Sequence, residues 1–330
     1  MRVLVVTNMY PRPEAPAHGV FVEDQVESLR RLGVEVDVFF MNGRANKLNY
    51  LAAYPRLWNQ LRKQKYDVIH AHYIFSGLVA RAQWQAPVVL THHGPEVFMT
   101  WERHVCRAAT GWFHRVIMVS QEMKDRLGYE DAVVIPCGVN LERFSPVDKL
   151  EARRQVGLPL DKKLVLWAGE YFRPEKRYEI VEAALATLTA EDPDVELVLL
   201  SGRPHAEVPV YMNAADVLLL TSDAEGSPMV IKEAMACNVP VVATAVGDVA
   251  EVIGGTDGCH ITSQDPAEVV EKLKAALAFG RRTDGREAVK RFDLDEISRQ
   301  IIKVYADAIR VRGKTVAAAD GPAEVTHERS

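Results

Sequence analysis

Long hydrophobic runs are missing from this 330-residue sequence. The apolar stretch at its start ends after a few residues, too early for a membrane span of about 18 residues or for a secretory signal. Cysteine is scarce as well: the four residues at positions 106, 137, 237 and 259 form no C-x-x-C pair, which argues against a zinc site and a disulfide framework. From these absences we expect a protein of the reducing cytoplasm.

Also lacking are an excess of positive charge and the common nucleotide-binding motifs. Lysine and arginine number 40 against 45 acidic residues, a net charge of −5, so we do not expect a dedicated nucleic-acid-binding protein. No G-x-G-x-x-G follows the first apolar run, and no G-x-x-x-x-G-K-[ST] occurs. These absences count against a nicotinamide-dependent dehydrogenase and a P-loop ATPase.

The sequence does contain a regular alternation of short runs rich in Val and Ile with amphipathic stretches, which is typical of parallel sheets with crossover helices. A turn-rich stretch at residues 144–148 interrupts the alternation, which then restarts. We therefore predict an α/β protein with two Rossmann-like domains, residues 1–146 and 147–294, facing each other across a cleft. A helix over 295–312 and a mobile tail over 313–330 would follow. The predicted strands are Arg2–Val6, Val34–Met41, Val68–His72, Val88–His93, Val116–Val119, Val133–Pro136, Lys163–Ala168, Glu196–Leu200, Asp216–Thr221, Pro240–Ala245 and Cys259–Ile261.

Ligands of such sheets bind at the carboxyl ends of the strands. The stretch Glu225-Gly226-Ser227-Pro228 follows one predicted strand and leads into a predicted helix. Pro228 suits the first helical turn, and the N–H groups of Met229 and Val230 would point at the loop with the positive end of the helix dipole behind them. This arrangement predicts a phosphate-binding cradle that needs no metal ion.

Two glutamates flank the cradle, Glu225 before the helix and Glu233 within it. Carboxylates beside an anion site are electrostatically unfavourable unless they accept hydrogen bonds from a neutral polyol such as a sugar. The alternative is that Glu225 only complements the helix dipole. Gly19, in His18-Gly19-Val20-Phe21, offers a second helix start at which an anion could approach the backbone.

The E-x7-E spacing of the two glutamates resembles glycosyltransferase family 4, and the resemblance covers nearly the whole chain up to about Arg312. Glu225-Gly226-Ser227-Pro228 and Gly19-Val20-Phe21-Val22 are similar to members that assemble cell-surface polysaccharides, teichuronic-acid enzymes among them. Further stretches resemble the family in the expected order: Val68-Ile69-His70-Ala71-His72, Thr91-His92-His93-Gly94-Pro95-Glu96, Ile135-Pro136-Cys137-Gly138-Val139-Asn140 with Arg143-Phe144, Arg173-Pro174-Glu175-Lys176-Arg177 and Asn213-Ala214-Ala215-Asp216-Val217.

The resemblance implies a GT-B fold whose last helix crosses back to the first domain. It also implies a hexosyltransferase that moves a sugar from a nucleotide diphosphate sugar to an acceptor hydroxyl with retained configuration, without a metal ion or other cofactor. The acceptor would be a glycan or a lipid-linked precursor. The alternatives are a nucleotide-sugar epimerase or hydrolase on the same fold, and a binding module without catalytic activity.

The resemblance further implies a role for each candidate site residue. Lys176, with Arg173 or Arg177, would neutralise the leaving diphosphate. Glu233 would hold the nucleotide ribose, and Glu225 a hydroxyl of the donor sugar. From the first, acceptor-binding domain, His93 would reach over the donor sugar and Glu96 would bind or activate the acceptor. The remaining donor contacts would come from Gly19, Gly169, Gly226, Ser227, Pro228, Met229 and Val230.

The sequence departs from the family pattern at two of these positions. Glu170 follows Gly169 where many members carry an arginine, so either Arg173 would take over that phosphate contact or the diphosphate would bind in a different position. Pro228 stands where a glycine often offers an N–H group to the sugar, so one donor contact would be lost. The other histidines of the matching stretches, His70, His72 and His92, are expected to be structural, because their spacing offers no carboxylate or thiol as a further metal ligand.

Aromatic residues lie among the cations of the first half. Over the predicted helix Leu48–Lys65, four apolar side chains recur at helical spacing beside Arg56, Arg62, Lys63 and Lys65; they are Tyr54, Leu57, Trp58 and Leu61. This pattern fits a face that rests on an anionic membrane, and equally an ordinary helix with its apolar face in the core. The first interpretation would make the protein peripheral on the inner face of the cell membrane, near a lipid-linked acceptor.

Overall fold

Two parallel sheets organise the computed structural model, which describes residues 1–43 and 45–319. The first sheet has the strand order β2-β1-β3-β4-β5-β6 and the second the order β11-β10-β9-β7-β8. Each strand lies where the Val- and Ile-rich runs predict one, because such residues suit strands that are covered on both faces. The strands are β1 (Arg2–Thr7), β2 (Glu35–Phe40), β3 (Val68–His72), β4 (Val88–His92), β5 (Arg115–Met118), β6 (Val133–Val134), β7 (Lys163–Ala168), β8 (Val195–Leu200), β9 (Val217–Leu220), β10 (Val241–Thr244) and β11 (His260–Thr262).

Helices cover both faces of each sheet. Met99 adopts an extended conformation, with ψ of 132°, and separates two short helices, Pro95–Phe98 and Thr100–Ala109. The helices are α1 (Val20–Arg31), α2 (Leu48–Lys63), α3 (Ile74–Arg81), α4 (Pro95–Phe98), α5 (Thr100–Ala109), α6 (Gln121–Leu127), α7 (Lys149–Val156), α8 (Tyr178–Glu191), α9 (Val208–Ala214), α10 (Met229–Ala236), α11 (Val249–Ile253), α12 (Pro266–Phe279), α13 (Gly285–Val289) and α14 (Leu294–Ala319).

The carboxyl ends of the two sheets face each other. The loop after β4 contacts the loop after β9 around Gly94 and Gly226. The N–H group of Gly247, after β10, donates to Glu122 Oε2 after β5 at 2.7 Å. The two Rossmann-like domains predicted from the sequence therefore meet across a cleft at the sheet edge where α/β proteins bind ligands.

The chain passes between the domains twice, and the two crossings lie side by side. Val139 of the outward crossing donates its N–H to the Phe292 carbonyl at 2.8 Å and accepts from the Leu294 N–H at 3.0 Å. A β-carbon on Gly138 would lie only 2.9 Å from the Leu294 Cα, so glycine permits this close approach. Val139 and Phe144 already belong to the core of the second domain, so that core begins before the turn-rich stretch at residues 144–148.

Helix α14 returns to the first domain, as the GT-B resemblance implies. Its buried face lies in the core between α1 and β3–β5, and Asp295 accepts a hydrogen bond from Ser28 Oγ at 2.7 Å. The helix continues to Ala319, into the segment expected to be a mobile tail, and residues 320–330 lie outside the described part of the chain. The buried residues of this face are Ile297, Ile301, Val304, Tyr305 and Ala308. None of the helices in the described ranges is long and apolar enough to cross a membrane.

We predict that the return of α14 contributes to the stability of the first domain. Ile301 is 3% exposed and Ile309, on the same helix, is 40% exposed. Ile301→Ala should cost about 2–5 kcal/mol in unfolding free energy because it leaves a cavity, whereas Ile309→Ala should cost no more than about 0.5 kcal/mol. Denaturant unfolding of both variants measures the difference. Equal losses would show that the helix does not depend on this packing.

Candidate active site

Residues 225–228 are the last part of the connection between β9, which ends at Leu220, and the start of α10, and are called here the Glu225 loop. Pro228 is the N-cap of α10 with an extended backbone, and the first hydrogen bond of the helix runs from the Ile231 N–H to the Pro228 carbonyl at 3.3 Å. The N–H groups of Met229 and Val230 precede that bond at the positive end of the helix. The cradle predicted from the sequence therefore lies at the carboxyl edge of the second sheet.

Backbone contacts between glycines bring the first domain onto this loop. A β-carbon on Gly226 would lie 2.0 Å from the carbonyl oxygen of His93, and one on Gly94 would lie 2.9 Å from the Gly226 nitrogen. On the other side, a β-carbon on Gly247 would lie 2.5 Å from the Gly226 carbonyl oxygen. Gly94 and Gly247 also have positive φ angles of 136° and 60°, which favour glycine. A larger residue at Gly94 or Gly226 would separate the domains, and one at Gly247 would displace the neighbouring loop of the second domain.

Lys176 and Glu225 form an ion pair at the cleft. Lys176 Nζ lies 2.5 Å from Glu225 Oε1, and both side chains are less than one-fifth exposed, at 16% and 18%. Ser222 Oγ donates to the same carboxylate oxygen at 2.8 Å, and Thr221 Oγ1 donates to the Lys176 carbonyl at 3.0 Å. The structure thus brings together the cation assigned to the leaving diphosphate and the carboxylate assigned to the donor sugar.

The two arginines near Lys176 point to different partners. Arg173 donates to Glu175 Oε1 at 2.7 Å and lies 3.8 Å from Glu170, the residue that replaces the usual arginine of the family. Arg177 instead pairs with Asp223 at 2.8 Å. Arg173 therefore lies near the loop that follows β7 and contains Gly169. Arg177 instead links its own turn to the loop that follows β9.

Glu233 is buried, with 7% of its surface exposed, and burial raises its pKa to about 8. The negative charge of Asp24 in α1 raises this pKa further, and Arg143 opposes the shift. Arg143 itself forms a two-pronged ion pair with Asp24 at 2.9 Å. A carboxyl group with such a pKa is protonated for much of the time near neutral pH, which suits it to hydroxyl groups rather than to a cation.

His93 follows β4 and lies in a column of histidine rings. Its Nε2 is 2.8 Å from His72 Nδ1, its ring stacks on that of His72, and Phe21 packs on it with a centroid distance of 4.9 Å. Burial and the neighbouring His72 lower the pKa of His93 to about 3, so the ring is neutral. Its Nδ1 is buried and has no hydrogen-bond partner among the described residues. A neutral imidazole with one free nitrogen can bind a sugar hydroxyl.

Glu96 lies beneath His93 and is fully buried. Its Oε1 accepts from the His93 N–H at 3.1 Å and is 3.3 Å from His92 Nδ1. In this position Glu96 fixes the turn that carries His93, and it offers no open face to an acceptor. The motif from which the resemblance implies an acceptor-binding role for Glu96 does not by itself reveal this burial.

Gly19 begins α1 in the left-handed conformation, with φ of 80°. A β-carbon at this position would lie 2.3 Å from the Met9 carbonyl carbon, so glycine is needed for the loop after β1 to pass over the helix start. The same helix carries Phe21, which contacts His93. Gly19 therefore positions the first turn of α1 on the cleft side of the first domain.

Comparisons with known proteins identify the family. Residues 1–143 match the family model of glycosyltransferase family 4, and residues 196–278 match that of the glycosyl transferases group 1. A D-inositol 3-phosphate glycosyltransferase of Xylanimonas cellulosilytica is 30% identical over 309 residues, which cover 75% of this chain and 73% of the relative. The chain belongs to glycosyltransferase family 4. A Bacillus subtilis glycosyltransferase named for teichuronic acid biosynthesis is 27% identical over 326 residues, covering 77% of this chain and 83% of the relative.

Solved structures support the fold of this glycosyltransferase. Sucrose-phosphate synthase of Thermosynechococcus elongatus matches 97% of this chain and 99% of its own with a TM-score of 0.75 and 22% identity. Anabaena HepE in complex with UDP-glucose matches 93% and 99%, with a TM-score of 0.72 and 19% identity. These likenesses establish the GT-B architecture.

Of the two interpretations of the apolar face of α2, a membrane-facing surface and an ordinary core-facing helix, the structure of this family 4 glycosyltransferase supports the second. Leu57 and Leu61 are 1% and 2% exposed, and Tyr54 packs half-buried against the first-domain core. Trp58 alone of the four is exposed, at 37%. The helical spacing that suggested a lipid-facing surface is the same spacing that a core-facing helix needs, so the pattern could not separate the two.

Several site residues of the glycosyltransferase carried no signal of their role in the sequence. His72 supports His93, whereas His70 is satisfied by Tyr305 and Thr91 at 2.7 Å each, as expected of a structural histidine. Asp24 lies on α1 far from the E-x7-E stretch and reaches Glu233 only through the fold. Within residues 1–43 and 45–319, no group of three His, Cys, Asp or Glu side chains is arranged to hold a metal ion.

We predict that Glu233 makes the folded glycosyltransferase less stable as the pH rises. Its folded pKa of about 8 lies above the ordinary value of 4.5, so the stability that its bound proton contributes is lost as the pH increases toward 8. Glu233→Gln should therefore be more stable than wild type at pH 8, by about 1 kcal/mol or more, and nearly equal at pH 4.5. Glu251→Gln, at an exposed position, is the control and should show no such pH dependence. Thermal unfolding at both pH values decides; an advantage that is equal at both would contradict the shift.

Proposed function

We propose that this glycosyltransferase transfers a hexosyl group from a nucleotide diphosphate sugar to an acceptor hydroxyl, with retained configuration and without a metal ion. The observation that carries the proposal is the ion pair between Lys176 Nζ and Glu225 Oε1, which are 2.5 Å apart. Glu225 belongs to the loop that leads into α10, and Gly226 of that loop contacts the backbone of His93 and Gly94. Anabaena HepE, which shares the fold, has been solved with UDP-glucose. That neighbour supports a nucleotide-sugar donor.

Donor binding would separate the Lys176–Glu225 ion pair and give each of the two residues a partner on the donor. The two negatively charged oxygens of a diphosphate attract the Lys176 ammonium more strongly than one carboxylate does, and the N–H groups at the start of α10 add to this attraction. Glu225 is then free to accept a hydrogen bond from a hydroxyl of the donor sugar. Departure of the diphosphate increases its negative charge, so Lys176 and Arg173 stabilise the transition state more than the ground state.

The first-domain side of the cleft supports a role for His93 at the sugar. Its neutral ring is fixed by His72 at 2.8 Å, and its Nδ1 is buried and has no partner among the described residues. This nitrogen would bind a hydroxyl group of the donor once the loop at the cleft moves to expose it. A protonated ring would add positive charge beside an oxocarbenium-like sugar and oppose its formation. The depressed pKa of His93 therefore favours the reaction. The retaining outcome itself rests on the family resemblance.

For the acceptor we propose a polysaccharide or lipid-linked glycan precursor at an anionic membrane. The name of the Bacillus subtilis relative, which refers to teichuronic acid biosynthesis, supports the polysaccharide. Four exposed apolar side chains near the cleft support the proposed attachment to a membrane. They are Leu48, Leu51, Met99 and Trp101, which are 49–64% exposed. Lys47 lies 5.5 Å from the Trp101 ring centroid and adds positive charge. We call these five residues the Trp101 surface; it lies at the sheet edge that also carries His93.

Donor and reaction type can be tested together. Purified protein is incubated with UDP-, GDP-, ADP- and dTDP-sugars, with and without a membrane extract as acceptor, and the anomeric configuration of the product is determined by NMR. We expect transfer that depends on the acceptor, retains the configuration and continues at the same rate in EDTA; Lys176→Met is the inactive control. Donor consumption at an equal rate without acceptor would identify a hydrolase, and binding without turnover a binding module. Activity that returns only with Mg²⁺ would contradict metal independence.

The two glutamates should differ in their effects on binding and turnover. Glu233→Ala should weaken the binding of free nucleotide diphosphate by roughly two- to tenfold, because a lost hydrogen bond to a neutral carboxyl group costs about 0.5–1.5 kcal/mol. Glu225→Ala should lower kcat and leave that affinity nearly unchanged, because its contact is with the sugar. Calorimetric titration and kinetics of both variants measure this. The opposite pattern would reverse the roles, and two normal variants would place the site elsewhere.

The Trp101 surface should attach the protein to anionic vesicles. Trp101→Glu should lower binding to phosphatidylglycerol vesicles by roughly tenfold, because a buried aromatic side chain contributes about 1.5–3 kcal/mol. Trp84→Glu is the matched control: Trp84 is 74% exposed but precedes β4, at the opposite edge of the sheet. Cosedimentation measures both. Equal binding of the two variants, or equal binding of wild type to phosphatidylcholine vesicles, would contradict the proposal.

A further inference from the structure

A buried cation lies directly under the Glu225 loop. Lys232, in α10, is 0% exposed, and its Nζ donates to Ser227 Oγ at 2.5 Å and to Asp248 Oδ2 at 2.6 Å. Ser227 Oγ in turn donates to Asp248 Oδ2 at 2.7 Å. The Ser227 hydroxyl therefore faces this network, and any contact of Ser227 with a donor must come from its backbone.

Four separate segments of the chain meet at this ammonium group. Ser227 belongs to the Glu225 loop, and Asp248 follows Gly247, whose N–H donates to Glu122 of the first domain at 2.7 Å. The outward crossing contributes the Cys137 N–H, which donates to Ser227 Oγ at 3.2 Å. The return crossing contributes Phe292, whose ring centroid lies 5.2 Å from Lys232 Nζ. One side chain thus contacts the catalytic loop and the polypeptide that joins the two domains.

Stability alone does not explain a charge at this position. The neighbours of Lys232 on α10, Ile231, Ala234 and Met235, are buried and apolar. Replacing a buried ion pair by apolar residues of similar volume is often neutral or stabilising, because both charges must otherwise be desolvated. What an ion pair with a bridging hydroxyl can add is a defined geometry, since its hydrogen bonds have fixed lengths and directions.

We propose that Lys232, with Asp248, is a positioning residue that sets the Glu225 loop against the two domain crossings. The inference rests on the proposed function, because its effect is on the reaction geometry at that loop. Ser227 is two residues from Glu225 and next to Gly226, whose backbone touches the His93 carbonyl. Displacing Ser227 would move Glu225 away from Lys176 and Gly226 away from the first domain. Glu233 and Lys176 would stay in place, so nucleotide binding would be spared.

The test compares double variants of two Lys–Asp pairs. Lys232→Met/Asp248→Leu removes the buried pair without leaving one charge unpaired. Lys163→Met/Asp192→Leu is the matched control, because Lys163 and Asp192 form a surface ion pair at 2.7 Å in the same domain, at the edge of the sheet opposite the cleft. Lys232→Gln/Asp248→Asn keeps polar groups at both positions and tests rescue. The measurements are melting temperature, hydrogen exchange of residues 222–229, affinity for UDP and kcat with UDP-glucose.

We expect Lys232→Met/Asp248→Leu to melt no lower than wild type, to bind UDP within about threefold, and to lose about tenfold or more in kcat. Its exchange at residues 222–229 should be faster, the rescue variant should fall between it and wild type, and the control should match wild type. Unchanged exchange and kcat, or a melting temperature well below wild type, would overturn the proposal. The exchange measurement needs no ligand. A wild type inert toward every nucleotide sugar would therefore count against the proposed function alone.

Discussion

The close approach of two polypeptide backbones across the cleft determines the geometry of the site. Gly94 and Gly226 leave no room for a β-carbon, because each would meet backbone atoms of the loop across the cleft at 2.9 and 2.0 Å. Gly247 is restricted in the same way from within the second domain, where its β-carbon would lie 2.5 Å from the Gly226 carbonyl oxygen. Backbone contacts at this distance define the relative position of the domains more sharply than flexible side chains would. The neutral ring of His93 and the Lys176–Glu225 pair come from different domains, and the loops that carry His93 and Glu225 meet at Gly94 and Gly226. The arrangement of the candidate site is in this sense a consequence of missing side chains.

The carboxyl groups of the cleft are unequally compensated within the protein. Lys176 and Glu225 neutralise each other, whereas Glu233 is buried beside Asp24 with only Arg143 in opposition. A carboxyl group whose pKa is raised to about 8 reduces stability at neutral pH, and its retention is explained if it serves hydroxyl groups of a ligand.

Features that depend on local sequence could be predicted, and features that depend on tertiary partners could not. The strands could be predicted because runs of Val and Ile identify them. The start of α10 could be predicted to within one residue, since Pro228 was expected in the first turn and is instead the N-cap. The environment of the apolar face of α2 could not be predicted, since a lipid-facing helix and a core-facing helix require the same spacing of apolar residues. Lysine is usually a surface residue, and only the fold shows that Lys232 is buried and that Ser227 and Asp248 surround it. Glu96 matched its motif, but burial assigns it to the turn that carries His93.

The return of α14 to the first domain connects the end of the described chain to the chemistry of the cleft. Tyr305, buried on that helix, lies 2.7 Å from His70 Nδ1; the His70 and His72 rings are 4.3 Å apart, and His72 Nδ1 is 2.8 Å from His93 Nε2. Each ring in this series is fixed by the one before it, so the orientation of His93 depends on the helix. A protein with only a first domain could form the same sheet, but without α14 the base of the histidine column would be exposed to water. Protonation would then become easier, because burial is the main cause that keeps these rings neutral.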